Sequence, residues 1–195
     1  MVSSAIENQT SIVNLPLKKK ISWEDFQRRY LTREDGYKYE WLNGVIEKTP
    51  RTMNPNQFYI WENLSSFLRQ IEDKLGHRLG AFPMEGDIFF NSNHRKPDIV
   101  FLNIQQIQEA RQNIKPKPEF VIEILSPSDN INRVNKKVEN YFAAGVKVLW
   151  HIFPEQEIIH VYSDSSTIRI CRNSDICSAE SVIEGYALPV KEVFK

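Results

Sequence analysis

Two short stretches of this chain put a carboxylate where an apolar side chain is expected. In Phe120-Val121-Ile122-Glu123-Ile124-Leu125-Ser126-Pro127-Ser128, apolar residues surround Glu123 and Ser-Pro-Ser ends the run. A run this short, stopped by turn residues, reads as a buried strand. Alternation places Val121, Glu123 and Leu125 on one face, and Phe120, Ile122 and Ile124 on the other. Pro97-Asp98-Ile99-Val100-Phe101-Leu102 repeats the anomaly, with Asp98 opening an apolar run. An ionised carboxylate turned toward a core is costly unless something pairs with it, and for one acid a structural ion pair suffices. Two carboxylates on two buried strands repel each other unless a cation lies between them. The pair therefore points to a metal site.

A hard divalent cation such as Mg²⁺ selects carboxylate, carbonyl and water oxygens and keeps several of its waters. Asp98, Glu123 and one strand carbonyl, that of Ile124, would supply such a shell. Phosphodiester hydrolysis at that shell further needs a cation to position the attacking water and neutralise developing charge. The segment after Ser-Pro-Ser, read as a helix over 129–144 and ended by Gly145, offers Lys136 and Lys137. Stepping about 100° per residue, Val134, Val138, Tyr141 and Gly145 fall in one stripe. Lys137 lies roughly 60° from its centre and Lys136 roughly 160° away. Lys137 can thus reach Glu123 from the core margin, whereas Lys136 faces water. The plainer alternative for Lys137 is a stem covering apolar surface with an ion pair at its tip.

The elements that must position these groups can be read in order. Ser22-Trp23-Glu24-Asp25 has the form of a capping box and predicts a helix to about Leu31. Tyr37–Leu42, Asn43-Gly44 and Val45–Lys48 predict a hairpin. On it Glu40 shares a face with Lys38 and Leu42, a face expected to be the wet side. Asn54-Pro55 opens a helix carrying Ile60, Leu64, Leu68, Ile71 and Leu75 at helical spacing and ended by Gly76. Strands are expected at Gly80–Phe82, Asp87–Phe90 and Pro97–Leu102, with a polar turn at Asn91-Ser92-Asn93 and a short exposed helix at 105–112. Val146–Phe153 and Ile158–Tyr162 predict a second hairpin, 167–171 an edge strand, and the tail a short turn around Val193-Phe194. The expected architecture is α/β (α+β): a mixed central sheet flanked by helices, one domain over 21–195 after a flexible segment over 1–20.

Beyond this physical reading, the sequence resembles a known family. Arg95-Lys96-Pro97-Asp98-Ile99-Val100, Glu123-Ile124-Leu125-Ser126-Pro127-Ser128-Asp129, Lys137-Val138-Glu139-Asn140-Tyr141, Ala144-Gly145-Val146 and Leu149-Trp150 are similar to the Uma family of restriction-endonuclease-like proteins. That family lies in the PD-(D/E)xK nuclease-like superfamily. The likeness extends to Tyr39-Glu40-Trp41-Leu42-Asn43-Gly44 and to Leu188-Pro189-Val190, and so spans most of residues 22–194. It implies a restriction-endonuclease-like core and a metal-dependent endonuclease acting on DNA, with Asp98 and Glu123 as acids and Lys137 as the catalytic lysine. Leu125 stands where the superfamily pattern has lysine, a departure the family makes up from the following helix. Glu40 matches a recurrent family acid and joins the candidate catalytic set beside the hairpin-face reading. Gln57 stands where many relatives carry histidine.

Composition bounds the rest. The 195 residues carry 25 basic and 25 acidic side chains, so no global charge draws the chain to nucleic acid or membrane. No apolar run approaches a membrane span, and no signal peptide is expected. Cys171 and Cys177 read as reduced thiols, and a cytoplasmic location is expected. His77, His94, His151 and His160 lack ligand spacing. With seven glycines there is no phosphate loop, and no nucleophile elbow surrounds Ser126 or Ser128. The rival functions are a non-catalytic binding or regulatory module that keeps the fold, and a hydrolase of small phosphoesters using the same residues. A homodimer is expected from the two-fold symmetry of duplex DNA and from exposed aromatics at Tyr37, Tyr39 and Trp41.

Overall fold

The computed structural model describes residues 20–51 and 55–195. The predicted 1–20 segment, apart from Lys20, and the Asn54 cap fall outside that range. In chain order the elements are α1 (Trp23–Arg29), β1 (Tyr37–Leu42), β2 (Val45–Pro50), α2 (Pro55–Leu75), β3 (Gly80–Ala81), β4 (Ile88–Phe90) and β5 (Asn93–Arg95). There follow β6 (Ile99–Asn103), α3 (Ile104–Arg111), β7 (Phe120–Ile124), α4 (Ile131–Ala143), β8 (Val148–Phe153) and β9 (Ile158–Tyr162). The chain closes with β10 (Ile168–Arg172), β11 (Ile176–Ser178), β12 (Ala187–Pro189) and α5 (Val190–Val193).

The central sheet has the order β10-β9-β8-β7-β6-β3, with β7 and β8 parallel and the other pairs antiparallel. A parallel pair needs a crossover, and α4 is that crossover. Alternation splits each strand between two cores. Ile99, Phe101, Phe120 and Ile122 pack with Ile60, Leu64, Leu68 and Ile71 of α2. Val100, Val121 and Leu149 pack with Val138 and Tyr141 of α4. This is a mixed sheet flanked by helices, as expected from the sequence.

A second sheet, β2-β1-β5-β4, lies against the charged end of the first. Asn43 (φ 50°) and Gly44 (φ 88°) turn β1 into β2, the left-handed pair that a two-residue hairpin requires. Where a polar turn at Asn91-Ser92-Asn93 was expected, Asn91 and Ser92 alone turn the chain. Asn93 opens β5, which pairs with β4 and, through His94 opposite Trp41, with β1. Its three polar residues have no apolar alternation, so pairing partners make this strand.

The hairpin also corrects two expectations. Tyr39 and Trp41 are buried beneath α1 with Phe26, leaving only Tyr37 of the three aromatics exposed. The Lys38–Glu40 face is not wet, because it closes over the end of the main sheet and Glu40 is 2% exposed. β11, β12 and α5 make a small buried appendage where only a turn was expected. No helix among the described residues is long and apolar enough to cross a membrane.

Candidate active site

Asp98 and Glu123 face the same way. Ile99 stands opposite Ile122 in the β6–β7 register, so one step further Asp98 falls opposite Glu123, and residues so opposed share a face. That is the α4 face, since Val100 and Val121, two residues away on each strand, lie in the α4 core. Both acids line a cleft of about 360 Å³ with Lys38, Ile124, Gln57 and Lys137. The Ser126–Asp129 turn forms part of its rim, held by Asp129, whose Oδ2 accepts from the Ser126 N–H at 2.7 Å and hydroxyl at 3.0 Å.

Each acid is oriented by named donors. Asp98 Oδ2 accepts the backbone N–H of Ile124 at 2.8 Å, and Oδ1 accepts Lys38 Nζ at 3.0 Å. The N–H and C=O of one strand residue point to the same side, so the Ile124 carbonyl also lies toward Asp98. Glu123 Oε1 accepts Lys137 Nζ at 2.7 Å and the Tyr141 hydroxyl in a short contact. The two donors sit four residues apart on α4, one helical turn, which brings both to the same oxygen. Lys136 points away, 61% exposed at its side chain and paired with Glu139 at 2.8 Å.

Glu40 does not line the cleft. It stands behind Lys137, with Oε1 3.9 Å from the ammonium. Its Oε1 accepts the Lys96 N–H and its Oε2 accepts Arg95 Nη1, at 2.8 and 2.9 Å. Arg95, fully buried, also reaches Glu47 at 2.8 Å and holds Asn140 Oδ1 through Nε and Nη2. Burial alone would raise the Glu40 carboxyl, but the charges of Lys137, Arg95 and Lys38 outweigh it and bring the pKa to about 2. Burial opposes the charged forms of Lys38 and Lys137 too, yet the surrounding carboxylates hold both above the ordinary lysine range. Burial and the Glu123 charge keep the Tyr141 hydroxyl protonated and therefore a donor. The group is thus an interlocked set of ions, not an acid pair alone.

The family model described as "Putative restriction endonuclease" (Uma2) matches residues 23–191. The chain belongs to this family. A crystal structure from Anabaena variabilis, described as that of a "putative nuclease", shares the fold with a TM-score of 0.72 at 20% sequence identity. The match covers 89% of this chain and 97% of that one. No curated protein matches the chain.

In this Uma2 chain the structure adds residues to the candidate set that the sequence reading left without a role. Arg95 was visible only as part of a motif. Tyr141 was counted as an apolar stripe residue, and Lys38 as a surface partner. His151 lies on β8 opposite Glu123 in register, buried, with Nε2 lacking a hydrogen-bond partner. Burial lowers its pKa to about 4, which leaves the ring neutral near pH 7. For His151 a polar residue amid an apolar strand was the available signal; Arg95, in an all-polar strand, and Tyr141, on a helix, carried none of that kind.

Among the described residues no three His, Cys, Asp or Glu side chains are arranged to hold a metal. The set fits a cation that takes two carboxylates and a carbonyl and keeps its waters, as Mg²⁺ does, better than one such as Zn²⁺ that takes three or four protein ligands.

Proposed function

We propose that this chain is a metal-dependent endonuclease that hydrolyses DNA phosphodiester bonds. The supporting observation is the convergence of Asp98, Glu123 and Lys137 on one cleft, each held by a neighbour that fixes its orientation. Asp98, Glu123 and the Ile124 carbonyl would hold Mg²⁺, or Mn²⁺, which when bound supplies Lewis-acid polarisation of the phosphate and a more acidic water. Lys137, fixed between Glu123 and Glu40, positions the attacking water and stabilises charge developing on the phosphate. Tyr141 keeps Glu123 turned toward the cleft. Glu40 acts through Lys137 and is a positioning residue. A two-fold dimer would match the symmetry of duplex DNA, a proposal that light scattering tests.

The decisive comparison is between neighbouring lysines. Lys137→Ala should slow Mg²⁺-dependent plasmid cleavage by about 10²–10³-fold, the usual loss for a charge-stabilising group. Lys136→Ala should leave it unchanged, and Asp98→Ala should abolish it. Equal cleavage by the two lysine variants would remove Lys137 from the mechanism. A wild-type protein that binds DNA but never cuts it would favour the binding-module reading.

A further inference from the structure

A half-buried ammonium already stands among the carboxylates of the cleft. Lys38 reaches in from β1, 12% exposed at its side chain, and its hydrogen bond and ion pair are to Asp98 Oδ1. That oxygen is the one left over once Oδ2 has taken the Ile124 N–H, so it is the oxygen a divalent cation would need. The charges of Glu123 and Glu40 act on the same ammonium. The buried acids Glu40, Asp98 and Glu123 are already paired with Arg95, Lys38 and Lys137, with Arg95 shared by the half-buried Glu47. Two more positive charges in so little water would unbalance the site unless one of the three cations withdrew.

Only one of the three is placed to do so. Arg95 is fully buried and anchored at once to Glu40, Glu47 and Asn140. Lys137 lies between Glu123 and Glu40. Lys38 and Lys137 both line the cleft on flexible four-carbon stems, but Lys38 is ion-paired to the single carboxylate of Asp98 whereas Lys137 is held by two.

We propose that Lys38 is a competing cation: its ammonium holds the Asp98 position in the metal-free protein and swings into the cleft when a divalent cation binds. The inference rests on the metal site of the proposed function. It gives β1 a regulatory role, since Lys38 sets the metal concentration at which the site loads. It also holds the carboxylates together until that happens.

Mn²⁺ binding by calorimetry near pH 7 tests this on the full chain. Lys38→Met, neutral and of similar length, should bind Mn²⁺ at least about tenfold more tightly than wild type. Lys38→Arg should bind no more tightly than wild type. In parallel, wild-type lysines are acylated and mapped by mass spectrometry. Lys38 should be protected without metal and reactive at saturating Mn²⁺, with Lys136 reactive in both states. That readout stands even where Lys38→Met fails to fold. Equal or weaker Mn²⁺ binding by folded Lys38→Met, or a Lys38 that stays protected at saturating Mn²⁺, overturns the competing-cation role and leaves the metal site standing. Absence of Mn²⁺ binding by both wild type and Lys38→Met overturns the two together.

Discussion

The two faces of β7 obey different rules. Phe120, Ile122 and Ile124 meet α2 in a core built of apolar contacts. Val121 begins the other face in the same way, but two residues later Glu123 meets Lys137 and Tyr141. The apolar face is held by non-directional burial, which tolerates adjustment. The charged face is held by directional pairs, each of which leaves a buried ion stranded if its partner is removed. One strand therefore carries both the anchor of the fold and the candidate chemistry, and its period of two keeps them apart.

The largest test of that difference is Arg95→Met. Loss of this fully buried guanidinium takes the nearest cation from Glu40 and Glu47 and frees Asn140, and should cost about 3–5 kcal/mol in urea unfolding. Adding Glu40→Gln to it should recover part of the loss, because the less-compensated charge is removed. A recovery of nothing would mean that packing volume, not charge, is what Arg95 contributes.

Acid should distinguish the faces next. Glu40 is depressed to about 2 from its ordinary 4.5, so its contribution is present above pH 4.5 and lost as pH falls toward 2. His151 is depressed to about 4 from 6.5, so the unfolded chain takes up its proton first, and stability falls as pH drops from 6.5 to 4. That histidine alone accounts for about 3 kcal/mol at most across its window. His151→Leu should flatten the curve between pH 6.5 and 4, whereas Ile122→Ala on the apolar face should lower the whole curve without reshaping it. An unchanged acid limb in His151→Leu would show that His151 is not buried in solution.

Much of the apolar face was legible in the sequence and much of the charged one was not, for a physical reason. Val134, Val138 and Tyr141 recur at helical spacing because one stripe of α4 must meet the sheet, and the same rotation separates Lys137 from Lys136. Apolar runs likewise betray β6, β7 and β8. Alternation in β1 correctly separates Lys38 and Glu40 from Tyr39 and Trp41, but it cannot say whether a polar face meets water or other buried ions. β5 has no period at all. Asn93-His94-Arg95 is a strand because β1 and β4 accept it and because Arg95 finds acids there, facts that live only in three dimensions. The resemblance to the Uma family marked Arg95 as part of a motif without supplying the partners that explain it.

The smallest effect is the sharpest test of independence between the faces. Ile122 is fully buried against α2 and adjoins Glu123 in the chain, yet its side chain points to the opposite side of the sheet. Ile122→Val removes one methylene and keeps the β-branched shape that the strand prefers, so β7 should keep its pairing with β6 and β8. The expected cost is about 0.5–1.5 kcal/mol, set by how far the α2 side chains can close the gap. Asp98 Oδ2 should keep the Ile124 N–H, and Glu123 should keep Lys137, because both bonds depend on the backbone of β7 and not on the volume at 122. Mn²⁺ affinity and cleavage rate should therefore match wild type within about twofold while the urea midpoint falls. A stability loss of that size accompanied by a tenfold fall in metal affinity would show that packing on the α2 face sets the spacing of the carboxylates on the other, and that the two faces of the strand are one unit.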